Sequence, residues 1–193
     1  MNSIILATTN KDKAKEYQAL LPGLPFKLIL PPKEIKVTET GKTFSANARL
    51  KAKAYGQKLN QPVLADDTGL CVKAMNNQPG VLSHRFAQKG FPHARAKILK
   101  TLKGLPQSKR QAYFISALAY YDSQTKKTFI FIGRVDGYIV LKETGSQGFG
   151  YDPIFFSTEL GKTFAQAGLS QKNQVSHRGR AFQKFVEFYL KRQ

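Results

Sequence analysis

The sequence predicts an α/β protein, and three observations carry that expectation. Short apolar runs of strand length alternate from the N-terminus onward with stretches whose apolar residues recur at helical spacing. Two long runs of aromatic and aliphatic residues, "QAYFISALAYY" and "KTFIFIGRVDGYIV", are joined by the polar segment "DSQTKK" and read as a hairpin. The chain then closes on an amphipathic helix. With 193 residues, 41% of them hydrophobic and 22% charged, the composition is that of a globular chain with one domain, 1–193, and no tendency to disorder.

Taken in order, "SIILAT" is a buried strand, and Asn10 is an N-cap for a helix over Lys11 to Leu21 whose Ala14, Tyr17 and Leu21 share a face. Pro22-Gly23 stops that helix. "FKLIL" is a second strand, ended by Pro31-Pro32, and "TFSANARLKAKAYGQKL" is an Ala-rich amphipathic helix. "PVLADD" and "LCVKAM" read as two short strands flanking Thr68-Gly69. Pro92 to Leu102 is a helix with Ile98, Leu99 and Leu102 on its apolar side. The last helix begins after Ser176 and buries Phe182, Phe185, Val186 and Tyr189.

The single Cys71 lies in the apolar run "GLCV" and reads as a small buried hydrophobe in a reducing compartment. No run reaches the length of a membrane span, and the apolar stretch of "MNSIILATTN" is too short for a signal peptide, so a soluble cytoplasmic protein is expected. The formal net charge of +19 calls for anionic partners: nucleic acid, phosphorylated small molecules or an acidic surface. The 31 Lys and Arg are spread along the chain without a tail or block, so a generally basic surface tuned for solubility fits at least as well as a nucleic-acid footprint, and nucleic acid is not the partner expected.

Five segments carry residues suited to chemistry. In "LATTNKDK", Thr8, Thr9, Asn10, Lys11, Asp12 and Lys13 stand where a strand runs into a helix, and hydroxyls, backbone N–H groups, the positive helix end and lysines there make a phosphate site; the alternative is a plain capped helix. "VLADDTGL" puts Asp66 and Asp67 at a buried strand end, where paired carboxylates hold a cation, supply a general base or form a turn. Glu39 in "TETGKTF" is a third acid ahead of a helix, with Lys51 further along. "KNQVSHRGR" sets Ser176, His177 and Arg178 at a helix start and Lys172 upstream, an anion or carbonyl site. In "SQGFGYDPIF", Gly148 and Gly150 permit close backbone approach, Phe149 and Tyr151 offer flat faces, and Asp152 offers an acceptor beside the stiff Pro153; a nucleobase or a packed hairpin turn would suit it. No Cys/His cluster exists, which argues against zinc.

Six stretches, "TTNKDK", "ETGKTFSANARLKA", "ADDTGL", "PGVLSHR", "GFGYDPIF" and "SHRGRA", occur in an order that resembles the inosine triphosphate pyrophosphatases, the Ham1-like non-canonical purine NTP pyrophosphatases, over essentially the whole chain. The resemblance implies an elongated, twisted mixed sheet with helices in two lobes around a central cleft. It implies a homodimer that hydrolyses the purine nucleoside triphosphates ITP, dITP and XTP to monophosphate and pyrophosphate with Mg²⁺. Thr8 to Lys13 would hold the phosphates, Glu39 and Asp67 the metal, with Asp67 also the proton acceptor and Lys51 facing the phosphates. Thr68, Phe149, Gly150, Tyr151, Asp152, Lys172, His177 and Arg178 match the remaining substrate contacts. His84 in "SHRF", beside Arg85, departs from the small residue usual in bacterial relatives. Two rivals are a Maf-type nucleotide pyrophosphatase, which the "SHR" donors and the "FGYD" loop argue against, and a basic nucleic-acid-binding protein. For base selection, Asp152 would accept from the purine N1–H, and Arg178 or a backbone N–H would donate to the 6-keto oxygen.

Overall fold

The computed structural model describes residues 2–192. Among them the chain forms β1 (Asn2–Leu6), α1 (Lys11–Gln18), β2 (Phe26–Ile29), α2 (Phe44–Leu59), β3 (Val63–Val72), β4 (Gln78–Pro79), α3 (Ser83–Phe86), α4 (Phe91–Thr101), β5 (Gln111–Tyr121), β6 (Thr128–Ile139), β7 (Phe155–Ser157), β8 (Lys162–Thr163), α5 (Leu169–Val175) and α6 (His177–Leu190). The strands make one mixed sheet in the order β2-β1-β3-β5-β6-β7-β8, with β4 on β3. β1 runs parallel to β2 and β3, while β3–β4, β6–β7 and β7–β8 are antiparallel. The α/β expectation holds.

The chain divides into two compact units: residues 1–67, 116–133 and 178–193 form the first, and 68–115 with 134–177 form the second. In the first unit the period-two alternation of the strands sorts side chains to two cores. Ile4 and Leu6 of β1 join Tyr17, Phe26, Leu118, Phe182 and Phe185 on one face. Ile5 and Ala7 join Ala48, Ala52, Tyr55, Ala117 and Tyr121 on the other. Both faces are therefore covered by helices, α1 and α6 on one and α2 on the other. In the second unit, Leu70, Val72, Ala112, Phe114, Val135, Ile139 and Phe155 pack with Ala94, Ile98 and Leu102 of α4 in a single core. Their strand neighbours Tyr113, Ile115, Tyr138 and Phe156 are half-buried, and Arg134 and Asp136 are exposed.

Two elements differ from the sequence expectation. The "VLADDTGLCV" run is one continuous ten-residue strand rather than two strands around a turn at Thr68-Gly69. Gly69 is absent from the positive-φ glycines, and the two carboxylates that suggested a turn are compensated by side chains from elsewhere in the first unit, so the backbone stays extended. The first helix ends at Gln18 instead of Leu21. Beyond it the N–H groups of Leu20, Leu21 and Leu24 bond three residues back, a tighter winding that turns all three side chains onto the first core.

α2 lies so close to β5 that a Cβ at the buried Gly56 would enter the Tyr121 ring. Gly56→Ala should therefore destabilise the protein by about 1–3 kcal/mol, the range for overpacking a tight core; equilibrium urea unfolding with an unchanged midpoint would show that the helix can shift outward.

Candidate active site

Two polar clusters form, one within each unit. The first is built where β1 ends. Parallel pairing sets Leu6 against Leu64, so the β1–α1 connection leaves the sheet beside the segment of β3 that carries Asp66 and Asp67. Thr8 and Asn10 shape that connection: the Asn10 N–H donates to Thr8 Oγ1 at 3.1 Å, and the Lys13 N–H donates to Asn10 Oδ1 at 3.0 Å, capping α1. Their hydroxyl and amide thus form the turn that leads into the N-terminus of α1, the positive end of the helix. Thr9, Lys11 and Asp12 are exposed at its rim.

One helical turn into α1, Lys13 Nζ reaches Asp66 Oδ1 at 3.1 Å, and Asp66 Oδ2 lies 3.5 Å from Arg178 Nη2. Arg178 Nη1 in turn pairs with Glu16 Oε2. Asp66, Arg178 and Glu16 are almost wholly buried. Burial works against the Arg178 cation, but Glu16 and Asp66 outweigh it and hold its pKa above the ordinary value. On the other side of β3, Asn47 Nδ2 of α2 donates to Asp67 Oδ2 at 3.1 Å, and Asn47 Oδ1 accepts from the Gly41 N–H at 2.8 Å. Lys51 Nζ pairs with Glu39 Oε1 at 2.8 Å.

The charges of this cluster do not cancel locally. Burial pushes the Lys13 ammonium below its ordinary pKa despite Asp66, and repulsion from Lys51 and Arg178 adds to the shift. Burial also opposes charge on Lys51, but Asp66, Asp67 and Glu39 together raise its pKa. Asp67 is raised because burial outweighs the attraction of Lys51 and Lys13 and the Asn47 hydrogen bond. Lys13 thus carries a charge that an anionic ligand would stabilise, and Asp67 is a carboxylate that a cation or proton would stabilise.

The second cluster lies in the loop after β6. Gly148 has φ +72°, and a Cβ there would strike Asp152 Oδ2, so this position admits only glycine without rearrangement. The close approach lets Asp152 Oδ2 accept from the Phe149 N–H at 2.8 Å and from Lys172 Nζ of α5 at 2.5 Å. Lys172 Nζ also stands 5.0 Å from the Phe149 ring centre and 5.2 Å from that of Phe164. Phe149 is half-buried, whereas Tyr151 turns inward. The Tyr151 hydroxyl donates to the Ser83 carbonyl at 3.0 Å and its ring meets Phe91 edge-on. Arg95 Nη1 donates to the Gly150 carbonyl at 2.8 Å, and its Nε pairs with Glu143. His177, buried, stacks on Phe114 at 4.7 Å. Thr68 is half-buried on β3.

The family model described as the Ham1 family matches residues 4–188. The chain belongs to the Ham1 family. A dITP/XTP pyrophosphatase of Geobacillus kaustophilus (strain HTA426) is 43% identical over 192 residues, covering 97% of this chain and 94% of its own. That of Listeria innocua is 41% identical over 186 residues, covering 94% of this chain and 91% of its own. Among solved structures, the Staphylococcus aureus Ham1 protein aligns over 100% of both chains with TM-score 0.87 and 34% identity. A Ham1 protein from Coxiella burnetii gives 0.86 at 34% identity, over 99% of this chain and 100% of its own.

In this Ham1 chain the structure brings Lys13 and Arg178 onto Asp66, Lys51 onto Glu39, and Phe149 and Lys172 onto Asp152. Two of the side chains expected to read a base are otherwise engaged: Arg178 is held by Glu16 and Asp66, and one oxygen of Asp152 is held by Lys172 and Phe149. Tyr151 is packed in the second unit's core. Glu16 and Asn47 were not singled out from the sequence. Their signal is visible there in hindsight: Glu16 falls three residues after Lys13, on the side of α1 that Tyr17 buries, and Asn47 is the polar member of the stripe Ala48, Ala52, Tyr55. Among the described residues no three His, Cys, Asp or Glu are grouped to hold a metal unaided.

Glu16→Gln keeps the shape but leaves the buried Arg178 guanidinium short of charge, and should cost about 1–3 kcal/mol in urea unfolding. Lys13→Met removes an ammonium that burial already disfavours, so its melting temperature should match or exceed that of the parent. Pyrophosphate should raise the melting temperature of the parent more than that of Lys13→Met; equal shifts would place the anion elsewhere.

Proposed function

We propose that this protein hydrolyses the non-canonical purine nucleoside triphosphates ITP, dITP and XTP to the monophosphate and pyrophosphate, clearing deaminated purines from the nucleotide pool. The observation that carries the proposal is the first cluster: a helix N-terminus and the cations Lys13 and Lys51, set against a buried pair of strand carboxylates, at the carboxyl end of a parallel strand pair. That combination suits a triphosphate, and the dITP/XTP pyrophosphatases to which the chain is similar supply the substrate class.

The donor set fits Mg²⁺, which takes one or two carboxylates and completes its shell with water and phosphate oxygens. Asp67, whose burial is incompletely offset, and Glu39 would hold the ion, which when bound neutralises phosphate charge and polarises the scissile group. The residues of the chain do the rest. Asp67, on the buried strand beside the lysines, accepts a proton from the attacking water. As the bond between the α- and β-phosphates breaks, Lys13 and Lys51 offset the charge that develops on the pyrophosphate. Thr8 and Asn10 hold the loop whose N–H groups bind phosphate. In the second unit, Phe149 offers the half-buried ring for a purine to stack on, with Lys172 and Asp152 fixing the loop and Thr68 and His177 as further substrate contacts. Asp152 remains the proposed acceptor for N1–H.

No helix among the described residues is long and apolar enough to cross a membrane. A cytoplasmic location is part of the proposal, supported by the free, buried Cys71, which suits a reducing compartment. A homodimer is proposed through the uncovered sheet face of the second unit. Tyr138 and Phe156 stack there at 4.6 Å, and Arg134 and Asp136 pair with each other, leaving an aromatic surface that a second copy can cover.

Release of pyrophosphate measured over ITP, dITP, XTP, ATP and GTP with Mg²⁺ tests the activity, and a flat profile would overturn it. Asp67→Asn should lower turnover by roughly two orders of magnitude or more, the loss expected for a general base. Phe149→Ala should raise KM for dITP by about tenfold or more, from lost stacking of about 1–3 kcal/mol. Tyr138→Glu should convert a dimer to a monomer in sedimentation velocity; a monomeric parent at micromolar concentration would refute the proposed interface.

A further inference from the structure

From Thr68 to Tyr121 the sequence contains no Asp or Glu, against nine Lys and Arg. The structure shows where this imbalance surfaces. On α4, His93, Lys97 and Lys100 recur at spacings of four and three and are all exposed; Lys89 precedes the helix and Lys103 follows it, both exposed as well. The only cation of α4 with a carboxylate partner is Arg95, on Glu143. Among the described residues Lys89, Lys97, Lys100 and Lys103 have none. Lys97 Nζ sits 4.7 Å over the ring of Phe86, a half-buried aromatic on α3.

We propose that this face of α4, with Phe86, is a sequence-independent binding surface for single-stranded nucleic acid, distinct from the nucleotide site. Three features choose this partner. The row is linear, with charges about 5 Å apart along the axis, and so follows a chain of phosphates rather than a compact anion. The apolar side of α4, Ala94, Ile98 and Leu102, is buried in the second unit's core and leaves nothing to insert into a lipid surface. Phe86 beside the row supplies the aromatic and cation combination on which unpaired bases stack.

Fluorescence anisotropy of labelled dT20 with the full-length protein between 50 and 200 mM salt tests the proposal. Binding should weaken steeply with salt. Lys97→Glu/Lys100→Glu/Lys103→Glu should reduce affinity at 50 mM salt by at least about tenfold and lessen the slope of log K against log salt by about 2, for three lost contacts at about 0.7 each. Lys53→Glu/Lys58→Glu/Lys191→Glu changes the net charge equally at exposed sites of the first unit and should leave affinity within about threefold. Hydrolysis of dITP by the α4 variant should stay at the parental level. Equal losses in the two variants would reduce the effect to net charge, and phosphatidylserine vesicles that displace dT20 from the parent would point to a lipid surface. A fall in dITP kcat/KM matching the loss of dT20 binding would assign the lysines to nucleotide capture. Each of these three results overturns the proposal, as does an absence of saturable dT20 binding.

Discussion

The ion ladder Lys13–Asp66–Arg178–Glu16 is the constraint on which the first unit turns. Asp66 and Arg178 are side chains that a protein rarely buries, and neither is tolerable in the interior without the other. Their pairing joins β3 to the start of α6, and the Glu16 contact joins α6 to α1. The helix that carries the anion-facing loop is thereby located by charge as well as by the aromatic packing of Tyr17, Phe26, Phe182 and Phe185. Because Asp66 and Arg178 are satisfied within the ladder, the charges left under-compensated are Lys13 at its end and Asp67 beside it, and these are the ones a phosphate and a cation would stabilise.

A similar division of labour governs the second unit. Asp152 folds its own loop by receiving the Phe149 N–H and the Lys172 ammonium, and the approach this needs is possible because position 148 has no side chain. Tyr151 anchors the same loop from below through the Ser83 carbonyl and Phe91. Phe149 is then presented, half-buried, on a loop whose other members are fixed. Preorganisation of this kind lowers the ordering cost of binding a flat ligand.

The net charge of +19 has no single location. Both units are basic. Within the first, the Lys13–Asp66–Arg178–Glu16 ladder is balanced and the excess lies on other lysines and arginines; within the second, it surfaces on the lysines of α4. Exposed charge of this kind costs little stability in high-dielectric solvent.

The sequence by itself determined the α/β class, the order of the longer helices and strands, the capping of α1 by Asn10 and the hairpin at Asp122 to Lys127, because periodicity, caps and turns are local properties of the chain. It also marked the loops that carry the site, since Thr, Asn, Gly and paired Asp at element ends are locally legible. The tertiary structure alone decided the state of each charge. Asp66 and Asp67 are neighbours with the same chemistry, yet one is neutralised by Lys13 and by Arg178, far along the chain, while the other is hydrogen-bonded by the Asn47 amide and keeps a raised pKa because burial outweighs its attractions. The same holds for Thr68-Gly69, which looked like a turn and is strand, and for Tyr151, which looked like a ligand contact and is core. Burial and ion pairing are sums over residues remote in sequence, and only the folded chain brings those residues together.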